Sequence, residues 1–320
     1  MKNILSISDS YEGTHLDVKR AITTIKSFEM EPYIAVSEFI RSDGSSDPVD
    51  ISETLDFCFG ECTPDAVFVG FIRDAKNASL VASAIDGHSP AIVVSDPSII
   101  SDKGEIWMTE ETYNVISTSI FDLSSHIIIN NLETELLAGF ECRNIYDFER
   151  AAKKLHNCFN ASIYIKGSPK TFNKGLFCDD SGITWVDDVR SSSKPELSLG
   201  NALNCELALG TKGIKAITNA IYFTVNGRRV SESIPVPQVA PSLISPAKSL
   251  RDIARSIDSQ PQPAKPAKTS IIDPVTEGTK GTVSELKAPE KAPARSVGDS
   301  LSELADIRKR LEALRKSAGS

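Results

Sequence analysis

At 320 residues, with 40% hydrophobic and 24% charged side chains, the chain is long enough for two average domains or for one large α/β domain with appendages. Its net charge of −8 is unevenly placed: residues 1–230 hold 21 basic and 32 acidic side chains, against 14 and 11 in residues 231–320, and so acidic a body excludes nucleic acid as its main partner. The opening KNILSIS is a β-type run without the charged, apolar and small-residue series of a signal peptide, and no window reaches the roughly 18 uninterrupted apolar residues of a membrane span. A cytoplasmic protein without membrane attachment is expected.

In chain order, β-rich runs recur at Ile4–Ser8, Tyr33–Val36, Ala66–Gly70, Ala91–Val94, His126–Asn130 and Ser162–Lys166. Between them lie segments with helical periodicity: Leu16–Glu29, Ile51–Glu61, Asp74–Ile85, Glu110–Phe121, Leu132–Leu137 and Ile145–Cys158. GLFCDDSGITWVDDV then reads as a hairpin around Asp180-Ser181-Gly182, and helices over about Asn201–Leu209 and Gly213–Phe223 close the body. Alternation of this kind predicts an α/β fold, a mostly parallel sheet with helices on both faces. In such sheets ligands sit beyond the carboxyl ends of the strands, which places Ser8–Ser10, Ser37–Phe39, Phe71, Asp96, Asn130–Glu133 and Lys166–Ser168 around one cleft.

The composition changes near Val230. Ten of the 17 prolines fall between Pro235 and Pro293, so residues 231–295 are expected to be a disordered Pro-, Ala-, Ser- and Lys-rich linker, interrupted by a short amphipathic island at 246–258. Residues 296–320 return to helical periodicity, with Leu304, Ile307, Leu311 and Leu314 at 3,4 spacing. A stripe of that kind needs a surface to cover it, and a protein partner for this C-terminal amphipathic helix is expected across the long spacer. The six cysteines are scattered through a body large enough for its own core, which makes a disulfide scaffold unnecessary; Cys58 and Cys62 would share a helix face, without the further ligands of a zinc site.

Several runs carry a resemblance. Val94-Ser95-Asp96-Pro97, the stretch from Leu132 through Glu133, Glu135, Leu136, Leu137 and Ala138 to Gly139, and the strand-ending Lys166-Gly167 are similar to corresponding motifs of the hydroxymethylpyrimidine/phosphomethylpyrimidine kinases, as are Ser8-Asp9-Ser10 and Asp17-Val18-Lys19. The resemblance covers roughly residues 3–225 and implies a ribokinase-like, Rossmann-like fold. It also implies that ATP and Mg²⁺ lie near Asp96, Asn131, Glu133, Glu135 and Lys166, with Asp96 and Glu133 nearest the metal, and that a small pyrimidine-like ligand lies near Asp9, Ser10, His15 and Ser37. Members of that family often form homodimers through the body. The residues themselves leave a second reading of Glu133 and Glu135 open, as the solvated acidic first turn of a helix.

Phosphoryl transfer needs a hydrated Mg²⁺, backbone N–H groups gathered on the phosphates, and a group that places the attacking hydroxyl. The resembling kinases carry Gly-Thr-Gly-Cys before their last long helix, where this chain reads Gly200-Asn201-Ala202-Leu203. Gly200 is what remains of the anion turn, and Leu203, at the position of the family's catalytic Cys, neither accepts a proton nor polarises a hydroxyl. Cys205, two residues on, is the nearest thiol. Their Thr-Ala-Gln-Asn corresponds to Ser37-Glu38-Phe39-Ile40, their Lys-Ile-Gly-Met-Leu to Phe68-Val69-Gly70-Phe71-Ile72, and Asp102 stands where they have a lysine. These departures point to a catalytically degenerate body that acts as a scaffold or ligand-binding module, with no cofactor required. The alternative is an active, divergent kinase of thiamine biosynthesis, using ATP and Mg²⁺ through Asp96, Asn131, Glu133 and Lys166.

Overall fold

The computed structural model describes residues 1–230 apart from 12–15, 42, 44, 102–103, 172 and 189–192. His15, Asp102, the linker with its island, and the helix of Leu304, Ile307, Leu311 and Leu314 lie outside the described residues.

The strands are β1 (Asn3–Tyr11), β2 (Glu31–Ile40), β3 (Ser46–Pro48), β4 (Ala66–Val69), β5 (Val93–Ser95), β6 (His126–Ile129), β7 (Ser162–Ile165), β8 (Lys174–Asp179) and β9 (Gly182–Asp187). They form one sheet in the order β3-β2-β1-β4-β5-β6-β7-β8-β9. The six strands from β2 to β7 along that order run parallel, while β3 at one edge and the β8–β9 hairpin at the other are antiparallel. This is the expected α/β architecture, with two closing hairpin strands on the far edge.

The helices are α1 (Leu16–Ser27), α2 (Ser52–Gly60), α3 (Ala75–His88), α4 (Glu110–Val115), α5 (Asn131–Ala138), α6 (Ile145–Phe159), α7 (Leu199–Ala208) and α8 (Gly213–Asn226). Alternation along each strand divides the core in two. Leu5, Ile7, Val67, Val69, Ile127 and Ile129 pack with residues of α2 to α6, whereas Ile4, Phe68, Val94 and Ile128 pack on the opposite face with α1, α7 and α8. Both faces are buried, so strands such as Ala66–Val69 and His126–Ile129 read as nearly continuous apolar runs.

Three details differ from the pattern-based reading, each for a physical reason. The segment after Glu110 is not one regular helix, because α4 widens at Ile116–Ile120, where Phe121 N–H donates to Ile116 C=O at 2.9 Å; the wider turn brings Ile116, Ile120 and Phe121 all into the core. β1 and β2 continue to Tyr11 and Ile40, past the apolar runs, because the polar residues at their ends bond to one another rather than to water. Finally, α2 stops at Gly60, so Cys62 lies beyond the helix face of Cys58; both are buried free thiols, while Cys158 is exposed.

From β1 the chain moves outward to β2 and β3, then crosses back to β4 on the other side of β1. Reversal at that point opens a crevice at the carboxyl ends of β1 and β4.

Candidate functional site

Backbone bonds continue the ladder past the strand ends and bring the loops into register. Asp9 N–H donates to Phe71 C=O at 2.7 Å, Gly70 to Ile7 at 2.8 Å, Asp96 to Val69 at 2.9 Å and Lys166 to Ile129 at 2.8 Å. Asp9, Asp96 and Lys166 are therefore fixed at neighbouring positions along one edge.

At the β5–β7 end, Lys166 Nζ donates to Asp96 Oδ1 at 2.6 Å across the end of β6, with both side chains 15% exposed. Glu133 is fully buried in the first turn of α5. Its Oε2 accepts from Asn130 N–H at 2.7 Å and its Oε1 from Ile100 N–H at 3.3 Å, while Asn130 Oδ1 accepts from Glu133 N–H at 2.9 Å, a complete capping box. Burial pushes the Glu133 carboxyl up to about 7; the Lys166 charge and the two amides pull it down, and the Asp96 charge adds to the rise. Asn131 Nδ2 donates to Ser168 Oγ, and Asn131 Oδ1 is buried without a donor. Glu133 and Glu135 are thus buried braces, not the solvated first turn that was the second reading of them. Glu135 accepts from Cys142 N–H at 3.2 Å and pins the turn between α5 and α6.

The structure brings Asp96, Asn131, Glu133 and Lys166 to one end of the sheet. Lys166 engages Oδ1 of Asp96, and both oxygens of Glu133 hold backbone amides. Oxygen donors that fit Mg²⁺ are therefore the second oxygen of Asp96 and Asn131 Oδ1, which is buried without a donor, while Glu133 would act by holding the loop that carries Ile100.

At the β1–β2 end, Asp9 is 1% exposed; Ser37 Oγ donates to its Oδ1, and Arg73 N–H donates to its Oδ2 at 2.9 Å. Burial raises its carboxyl to about 7 despite those bonds, with the Glu38 charge raising it further and the Arg73 charge lowering it. Ser10 is fully buried beside it. Asn77, in the first turn of α3, donates to Ser37 C=O at 2.7 Å and to Val49 C=O at 3.0 Å, tying β2 to the loop before α2.

Between these ends stands the amino terminus of α7. Gly200 to Leu203 are not a turn before this helix; they are part of it, with Ser198 Oγ capping the amide of Asn201 at 3.2 Å. Leu203 is 1% exposed and belongs to the same core cluster as Ala21, Ile25 and Ala220. A Cβ on Gly200 would run into the Phe68 ring, so glycine is retained here by the packing of Phe68, whatever it once did for an anion. Cys205 is fully buried in the same core, and burial pushes its thiol far above the ordinary range, which removes it as a substitute nucleophile.

Sequence reasoning missed Asp188. Its Oδ2 accepts from Gly167 N–H at 2.6 Å and from Tyr164 O–H at 3.0 Å, so it holds the loop that carries Lys166 and Ser168. No local pattern marks it, since its partners are about twenty residues away. At the start of β6, burial drops the His126 ring to about 4, and its Nδ1 lies 3.0 Å from Ser125 Oγ.

Residues 41–238 match the phosphomethylpyrimidine kinase family model. A hydroxymethylpyrimidine/phosphomethylpyrimidine kinase of Synechococcus elongatus is 24% identical over 202 residues, 58% of this chain and 73% of that protein. Among solved structures, a phosphomethylpyrimidine kinase from Clostridium difficile superposes with a TM-score of 0.64 at 16% identity, covering 71% of this chain and 99% of the other. A Bacillus subtilis pyridoxal kinase in complex with ADP gives 0.60 at 20% identity, over 70% and 90%. The fold, the order of strands and the motif around Asp96 and Glu133 have one common explanation: the chain belongs to the phosphomethylpyrimidine kinase family.

Proposed function

We propose that this chain is a non-catalytic member of its family, a ligand-binding body joined to a C-terminal helical peptide that docks on another protein. One observation carries the proposal: the segment Gly200–Leu203 lies inside α7, with Phe68 packed on Gly200 and Leu203 in the core. A γ-phosphoryl group is stabilised by amides gathered in a glycine-bearing turn and by a group beside the attacking oxygen. Here the glycine is filled against by an aromatic ring, the second glycine is Ala202, and the side chain at the catalytic position is a buried leucine. The compensation of Asp96 by Lys166 supports the same reading, since a lysine already paired at 2.6 Å must exchange partners before it meets a phosphate.

The test is ADP formation by the full chain with ATP, Mg²⁺ and hydroxymethylpyrimidine, together with calorimetric titration of ATP and Mg²⁺. No turnover and no heat are expected. Turnover that Asp96→Asn abolishes would establish the active kinase instead, for which Asp96, Asn131 and Lys166 are the residues in place. The docking half of the proposal fails if deleting residues 296–320 changes none of the chain's associations.

A further inference from the structure

α2 turns Leu55, Cys58 and Phe59 into the core, and its outer face combines charge with an aromatic ring. Glu53, Asp56, Phe57, Gly60 and Glu61 recur at three- and four-residue spacing, and all are exposed. Phe57 is 55% exposed, the most exposed phenylalanine among the described residues, and it has no polar tip to turn to water. Gly60 leaves open space where a side chain would stand. Among the described residues no lysine or arginine pairs with Glu53, Asp56 or Glu61. The face is an aromatic anchor framed by three uncompensated carboxylates.

The complement lies in the same chain. In helical spacing, the stripe of Leu304, Ile307, Leu311 and Leu314 is flanked by Arg308 and Arg315 on one side and by Arg310 on the other. The body also ends near α2. Arg229 lies 5.2 Å over the Phe28 ring just before β2, Glu31 N–H donates to Lys2 C=O at 2.9 Å, and Cys62 C=O, just past α2, accepts from Asn3 Nδ2 at 2.5 Å. The end of the body and the end of α2 thus both meet the start of β1. A chain of the length of residues 231–295 reaches about 45 Å even as a random coil, ample for that path.

We propose that the outer face of α2 is the seat of the chain's own C-terminal helix, with Phe57 packed into the apolar stripe over Gly60 and the arginines set against Glu53, Asp56 and Glu61. The inference takes from the preceding section the reading of residues 296–320 as a docking helix, and names where that helix rests when no other protein holds it. Tethering gives it an effective concentration on the order of 1 mM, so a contact with a dissociation constant of about 0.1 mM keeps roughly nine helices in ten seated. A partner protein must displace α2 to gain the helix, and until then the leucines are withheld from non-specific association.

Trypsin cleavage of the full chain, followed by mass spectrometry, reads the seat directly. Arg308, Lys309, Arg310, Arg315 and Lys316 report on the helix, and Lys280, Lys287 and Lys291 supply an internal standard. Relative to that standard, the helix is expected to be cut about tenfold more slowly in the unaltered chain than in Phe57→Ser or in the combined Glu53→Gln, Asp56→Asn, Glu61→Gln variant. Every altered position is exposed, and the ratio should hold through about a hundredfold dilution. Equal rates in the unaltered chain and both variants would overturn the proposal. So would protection that fades on dilution, which would make a second copy the occupant. The preceding reading fails separately: a deletion of 296–320 that changes no association sinks it whatever trypsin shows, whereas a changed association with an unprotected helix sinks only the seat.

Discussion

The buried carboxyls make stability fall as pH rises across the neutral range, against the usual behaviour of paired acids. Asp9 titrates at about 7 in the fold against an ordinary 3.8, and Glu133 at about 7 against 4.5. In both, burial is the leading cause, so the folded state holds its proton more tightly than the unfolded chain. Stability is therefore fully present below the unfolded values and is lost as pH climbs through the folded ones. Asp17, also raised by burial against the pull of Arg20, acts in the same direction. His126 opposes them: its ring drops from 6.5 to about 4, so between those values the folded state binds fewer protons and stability rises with pH. Each group contributes a slope of about 1.4 kcal/mol per pH unit inside its window. Up to pH 6.5 two losses meet one gain, a net loss of about 1.4 kcal/mol per unit; from there to pH 7 both losses act alone, about 2.7 kcal/mol per unit. Between pH 5 and 7 the ceiling is a loss of about 3 kcal/mol. Urea unfolding followed by tryptophan fluorescence at half-unit pH steps measures this directly. Asp9→Asn should flatten the curve and His126→Asn should steepen it. An unfolding free energy that rises from pH 5 to 7 in the unaltered chain would refute the reasoning.

Three further outcomes follow from the same packing. Leu203→Ala removes a side chain 1% exposed in the core and should cost about 2–5 kcal/mol in urea unfolding without altering ligand titrations; unchanged stability would place Leu203 at the cleft after all. Gly200→Ala should destabilise by about 1–3 kcal/mol through the Phe68 ring, and Phe68→Ala in the same chain should relieve the clash; a destabilisation indifferent to Phe68 would mean that the backbone of α7, not the ring, demands glycine. Asp188→Asn weakens the acceptor shared by Gly167 and Tyr164 and should cost about 1–3 kcal/mol, with faster amide exchange at Gly167 as the local readout that a merely global effect would not single out.

The parallel sheet was legible because strands buried on both faces must be apolar throughout, and the runs at Ala66–Val69 and His126–Ile129 have no other use. The ends of β1 and β2 were not, because Asp9, Ser10 and Ser37 break the apolar pattern and are kept in the sheet by bonds between residues 28 apart in sequence. The same divide runs through the site. Asp96, Asn131, Glu133 and Lys166 were found because each ends a strand or begins a helix, positions that the alternation of elements marks. Asp188, Asn77 and the packing of Phe68 on Gly200 were out of reach, because each depends on which element lies across from it. The two glutamates of α5 illustrate the limit: two residues apart on one short helix, they look equivalent in sequence, yet one faces Asn130 and Ile100 and the other Cys142.

Charge along the carboxyl edge explains why these features belong together. A cleft that receives phosphate keeps its cations uncompensated until the anion arrives, because the ligand is to be their partner. Lys166 is instead matched by Asp96 at 2.6 Å, while at the β1–β2 end Asp9 feels the opposed charges of Glu38 and Arg73. On the proposed reading, a lysine already matched by a carboxylate leaves the phosphate end without a free cation, so titration with ATP and Mg²⁺ should give no heat, and heat there would overturn that reading.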